Sequence, residues 1–166
     1  MSTPRHDPAR RPAWSPSRNA IGQWTVEGVL GSLFWAVVVT ALVVLLPLPT
    51  WLAVLLPVLV LVEAVVMIGV RPRLSYRVHR WEVTADAVYT LTGWLSRTWT
   101  LVPVSRIQTV DVTRGVVQQV FGLATVAVLT ASSQGTVRIL HLDADVAARV
   151  ADDLARRAEL VRDEAT

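Results

Sequence analysis

From Gly28 to Val62 the chain carries no charged side chain, and Glu63 is the only charge before Arg71. A block this long and apolar cannot be covered by a domain of this size, so hydrocarbon is its natural solvent. It divides into two segments, about 26–46 and 51–70, each near the ~20 residues that cross a ~30 Å core. Between them, Pro47-Leu48-Pro49-Thr50 breaks the helix and forces a turn. The reading is a transmembrane helical hairpin within residues 21–71. The polar leader and the second apolar segment exclude a cleaved signal peptide. Trp24 and Trp51 lie near segment ends, where indoles favour the interface.

Arginine placement sets the expected sidedness. Arg5, Arg10, Arg11 and Arg18 precede the first span, and Arg71, Arg73, Arg77 and Arg80 follow the second, whereas the connecting turn is uncharged. Both termini are therefore expected on the cytoplasmic side of a cell membrane. The same four arginines after the second span are candidates for anionic headgroup contact, worth about 1 kcal/mol each close to the surface. Glu63 is a candidate intramembrane contact. Its burial costs a few kcal/mol unless it is neutral, paired or wet, and Thr40 or a backbone carbonyl are candidate partners. Gly28, Gly31 and Ser32 form a patch of small residues that allows close helix approach. Residues 1–20, rich in Pro, Arg and Ser, read as a disordered cytoplasmic tail.

From residue 72 the pattern changes to short alternating runs. Strands are expected at 74–83, 87–92, 97–103, 107–113, 123–130 and 136–142, with turns at 84–86, 93–96 and 132–135. In the fourth, Ile107, Thr109, Asp111 and Thr113 should share one face. Val116 to Phe121 reads as a short helix closed by Gly122 in the left-handed conformation. Asp143 and Asp145 suit a helix start. Val146, Val150, Leu154 and Val161 then recur at helical spacing, giving a terminal helix at about 144–162. The domain, 72–162, is expected to be an antiparallel barrel plugged by that helix.

Val104-Ser-Arg-Ile-Gln-Thr-Val-Asp-Val112, then Gly115, then Val120-Phe-Gly-Leu-Ala124, resembles the bacterial membrane-anchored PH-like family of YdbS/YdbT type, catalogued as a domain of unknown function. The resemblance implies an α+β membrane protein: a two-helix hairpin followed by a PH-like β-barrel with a C-terminal helix. It also implies homo- or hetero-oligomers with other membrane proteins. Arg106, Ile107, Gln108, Gly115, Phe121, Gly122 and Leu123 are its pattern residues, read here as structural. Arg106 is a candidate partner for Asp111. The turn at 84–86 has no cation and one acid, so phosphoinositide binding does not follow.

Chemistry finds little support. The chain has no cysteine and no lysine. His6, His79 and His141 lack metal-ligand spacing, Ser105 lacks a nucleophile elbow, and Asp152-Asp153 reads as a solvated helix face. With a net charge of +3, nucleic acid is not an expected partner. No enzyme activity, cofactor or metal is expected. The expected function is a membrane-anchored, non-enzymatic interaction module that mediates protein–protein assembly at the inner face of the membrane. The alternative is anionic-lipid binding or a transport-accessory subunit.

Overall fold

A computed structural model describes residues 11–130 and 135–164. Residues 1–10, with His6 and most of the expected tail, and most of the turn at 132–135 lie outside the described residues.

Two long helices dominate one end. Helix α1 spans Asn19–Leu45 and stops where Leu46 turns extended ahead of Pro47. Helix α2, Thr50–Ala64, begins after extended Pro49. It runs on through a wide π-helical turn, Val65–Val70, into α3, Arg71–Val78. The wide turn has a cause in the sequence. Pro72 has no amide hydrogen and its ring would clash with the carbonyl four residues back. The widened turn absorbs that defect, with the Arg71 amide donating to the Val66 carbonyl. Both helices are apolar all round, and α2 has no buried residue. Leu33, Phe34, Trp35, Trp51, Leu61 and others stand exposed, which only lipid tolerates. Asn19–Leu45 and the continuous Thr50–Val78 are each long and apolar enough to cross a membrane.

The strand expected at 74–83 is corrected. Residues 74–78 continue the helix, and β1 is only Arg80–Val83. The stretch alternates in polarity, but it buries Pro72, Ser75 and Val78, a three-residue spacing that a helix satisfies and a strand does not. The remaining strands are β2 (Ala87–Thr92), β3 (Thr98–Pro103), β4 (Ile107–Thr113), β5 (Leu123–Thr130) and β6 (Thr136–Asp143). Short helix α4 is Val116–Val120 and α5 is Ala144–Glu164. Pairing is antiparallel throughout and gives two separate sheets, β1-β2-β3 and β4-β5-β6. No ladder joins them among the described residues, so the architecture is two three-stranded sheets and a helix. A bulge between Ile107 and Thr109 breaks the alternation expected of β4. As a result Ile107 and Val110, three apart, both reach the core.

That core takes Val88 and Val102 from the first sheet, Val126, Val128, Ile139 and Leu142 from the second, and Ala147, Ala151, Leu154 and Ala158 from α5. The expected valine stripe of α5 flanks this face half-buried; its centre is alanine, which lets the helix lie close. At Gly93 the turn between β2 and β3 admits only glycine: φ is +115° and a Cβ would fall 1.8 Å from the Ser96 carbonyl oxygen.

The segment before α1 is not free. Trp14 and Trp81 exchange both backbone hydrogen bonds at 2.9 Å, so residues around Trp14 cover the outer edge of β1. This corrects the disordered tail for its described part.

Candidate functional site: the seam between hairpin and domain

The most closely built polar cluster lies where α1 and α3 meet the sheets. Ser17, just ahead of α1, donates from Oγ to Asp143 Oδ1 at 2.6 Å, and its amide donates to the His141 carbonyl at 2.9 Å. Two residues later the Asn19 side chain donates to the Phe121 carbonyl at 3.1 Å. Ala20, Trp24 and Leu123 form a second apolar cluster, with Tyr76 and Phe121 against it. The helix can come this near because residue 22 is glycine, since a Cβ there would meet Phe121 Cε1 at 2.7 Å.

Trp24 is central. It is buried, not interfacial, and its ring lies edge-on to His141 at 4.7 Å and tilted over His79 at 5.3 Å between centroids. The two histidines come within 6.5 Å of each other. Their Nδ1 atoms face acceptors: His79 donates to the Ser75 carbonyl at 2.8 Å and His141 to Gln23 Oε1 at 3.2 Å. Gln23 passes the chain on, donating from Nε2 to Glu27 Oε1 at 2.7 Å. A continuous polar path thus leads from β6 to the foot of the membrane span. Burial pushes the His141 pKa down to about 4, helped by nearby His79 and Arg71. Burial also lowers that of His79, against the raising effect of its bond to Ser75. Both are therefore neutral at pH 7. His141 also has φ +59°, a left-handed conformation that a non-glycine side chain enters at some cost. It sits where the β5–β6 register shifts.

The pattern residues divide between two places. Phe121, Gly122 and Leu123 build the seam. Gly122 has φ +67° and its carbonyl accepts the Ala144 amide at 2.9 Å, which joins α4 to the start of α5. Gly115 precedes α4, its amide donating to Gln118 Oε1 at 3.0 Å. Arg106 and Gln108 are exposed near the opposite end, and Ile107 is buried beneath them. Asp111 lies four residues along an extended strand from Ile107, more than about 13 Å away, so the expected Arg106 partner is out of reach.

Of the four arginines, Arg73 donates to the Gly69 carbonyl and Arg80 to Ser15 Oγ. Arg71 lies near the two histidines. Within the hairpin, Glu63 accepts from Ser32 Oγ at 2.8 Å. The partner is thus Ser32 and not Thr40. The helices approach closely at Gly28, where a Cβ would come within 2.7 Å of the Met67 carbonyl oxygen in the wide turn. Gly31, by contrast, faces open space.

His79 and His141 fall in separate predicted strands, and Trp24 is expected in the interface. Their convergence depends on a helix running to Val78 and on a strand end over 60 residues later, and no local pattern announces either. The signal the sequence carries is composition: Asn19, Gln23 and Glu27 in the first turns of a helix that is apolar over most of its length.

The bacterial PH domain family profile matches residues 27–158. UPF0699 transmembrane protein YdbS of Bacillus subtilis (strain 168) is 26% identical over 151 residues, covering 89% of this chain and 94% of that protein. No solved structure matches.

Proposed function

The chain belongs to the bacterial PH domain family and is a membrane protein, and from that premise we propose that it presents its PH-like domain at the inner face of the cell membrane as a non-enzymatic assembly module. The observation that carries this reading is the seam. At ~1.5 Å per residue, a 27-residue helix and a 29-residue helix reach about 40 Å and 44 Å, beyond a ~30 Å core. The excess of both is built into the domain through Trp24, His79 and His141. The domain therefore stands on a stiff stalk, which confines it and raises its effective concentration for neighbouring membrane proteins.

In this reading both termini are cytoplasmic, because the arginines cluster at the domain end of the hairpin. A cysteine placed at Leu48 in this cysteine-free chain should react with impermeant maleimide from outside the cell. The partner is a second copy or another membrane protein. Photo-crosslinking of the full chain in native membranes should give discrete protein adducts. Adducts with lipid alone would overturn the assembly role.

The alternative, anionic headgroup binding, rests on Arg71, Arg73, Arg77 and Arg80. Intramolecular bonds already engage Arg73 and Arg80, which weakens it. Salt-sensitive preference of the full chain for anionic over zwitterionic nanodisc lipids would favour it. The domain cut at residue 72 is the wrong probe, since losing α1 would expose Leu123 and His141.

A further inference from the structure

The strand directions define which parts of the domain face the bilayer. Arg80, next to the seam, pairs with Leu91, so β2 runs toward the membrane and Thr92 is level with His79. The β2–β3 turn, Gly93 to Arg97, therefore starts at the level of the Trp24–His79 contact. Trp24 is two residues before the apolar span. On the other sheet, β4 runs toward the membrane and β5 away from it, with α4 at the bend. The bonds of Phe121 fix its height: it contacts α1 at Asn19 and Gly22. Those positions lie about 10 Å and 6 Å below Val26, where the apolar span begins. The headgroup layer adds about 5–8 Å per leaflet, so α4 and the start of the β2–β3 turn lie within reach of it.

What these two elements expose is apolar. Leu95 in the turn is 81% exposed, and Val116 and Val120, one helical turn apart on α4, are 80% and 79% exposed. Trp99 stands exposed at the start of β3. An exposed arginine lies beside each element, Arg97 in the turn and Arg114 just before α4, the latter donating from Nε to the Leu123 carbonyl at 3.3 Å. No acidic residue occurs from Ala87 to Val110 or from Val112 to Leu142. Apolar tips beside arginine, on runs of sequence that hold no carboxylate, suit the boundary between phosphates and acyl chains.

We propose that the β2–β3 turn and α4 form a membrane-seated underside, with Leu95, Val116 and Val120 in the headgroup–acyl boundary of the bilayer that holds the chain's own hairpin. The occupant of this surface is lipid, and it is continuous with the lipid around α1 and α2. The inference rests on the hairpin spanning a bilayer and is independent of any protein partner. It leaves the opposite end, with Arg106, Gln108 and the tip of α5, as the surface offered to the cytoplasm.

The absence of cysteine allows a direct test. Single cysteines at Leu95, Val120, Val44 and Leu160 in the full chain are labelled with an environment-sensitive fluorophore. They are then reconstituted in nanodiscs with lipids spin-labelled at the headgroup or upper acyl chain. Val44 in the hairpin and Leu160 near the tip of α5, both exposed, are the positive and negative references. Leu95 and Val120 should lose emission to the spin-labelled lipid as Val44 does, while Leu160 keeps it. Quenching at Val44 but not at Leu95 and Val120 overturns the proposal while leaving the hairpin in place. A blue-shifted but unquenched Leu95 or Val120 means protein covers the surface and also overturns it. No quenching at Val44 removes the premise itself.

Discussion

Acidification should open the seam, and His141 sets the scale. In the closed seam its pKa is pushed down from 6.5 to about 4. In an opened seam, wetted, it returns toward 6.5. Between those values the open state binds the extra proton, so closure weakens as pH falls from about 6.5 and levels off below about 4. At about 1.4 kcal/mol per pH unit, the full excursion is on the order of 3 kcal/mol. His79 shifts in the same direction, so the slope should lie between one and two protons. Burial is the main reason the charge is not tolerated, and the groups facing the pair do not offset it: Arg71 is nearby, and Glu27 is already engaged by Gln23. The assay is hydrogen exchange of the β6 amides around His141 in nanodiscs, corrected for intrinsic rates, across pH 7.5 to 4.5. Protection should hold above about pH 6.5 and fall about tenfold or more per pH unit below it, and His141→Gln should flatten most of that dependence. Unchanged protection at pH 5 in the parent chain, or an equal loss in His141→Gln, would refute the assignment.

Four further outcomes follow from the same geometry. Gly28→Ala should separate α1 from the wide turn, because the new Cβ would meet backbone at Met67; cysteine crosslinking between the helices should drop while the sheets stay folded. Leu154→Ala removes a fully buried side chain of the domain core and should cost about 2–5 kcal/mol, read as a lower denaturation midpoint. Trp24→Ala should loosen the seam more than the domain, with exchange rising at Leu123 and His141 before it rises at Val128. Ser32→Ala leaves the Glu63 carboxyl without its donor in the hairpin and should lower hairpin stability by about 1–3 kcal/mol, measured by steric trapping or unfolding in mild detergent; Glu63→Gln, which keeps an acceptor, should cost less.

The parts of this fold that sequence reveals are those whose cause is local. Charge exclusion marks the hairpin, and alternation bounded by turn residues locates β2, β4 and β5. Gly122 is legible as a left-handed position because a short apolar helix must stop there. What escapes is set by contacts distant in sequence. Residues 74–78 alternate like a strand, yet they are helical because α2 carries its hydrogen-bond ladder past Pro72 and their inner face packs at three-residue spacing. The bulge at β4 cannot be seen in Ile107-Gln-Thr-Val110, since either register buries one apolar residue. The centre of the α5 face is alanine, too weakly apolar to outweigh the valines beside it. The seam draws a few residues from each of four segments, so no window contains enough of it to be noticed.

The junction also fixes what kind of signal the domain can transmit. A domain on a flexible linker reports only that it is near the membrane. Here α1 is one rigid rod from Asn19 in the seam to Leu45 at the far side of the hairpin, and the second helix returns unbroken to Val78. Rotating one helix against the other would have to move the Met67 carbonyl past Gly28, separate Ser32 from Glu63, or shear Trp24 from the two histidines. Each of these is a packed or hydrogen-bonded contact with few alternatives at similar energy. A partner that binds the hairpin within the bilayer therefore has two ways to be felt in the sheets: tilting the whole unit, or breaking the seam. Tilting keeps β6 protected and changes only the depth of Leu95 and Val120, whereas breaking exposes His141. Depth quenching and hydrogen exchange on the same sample thus separate the two responses.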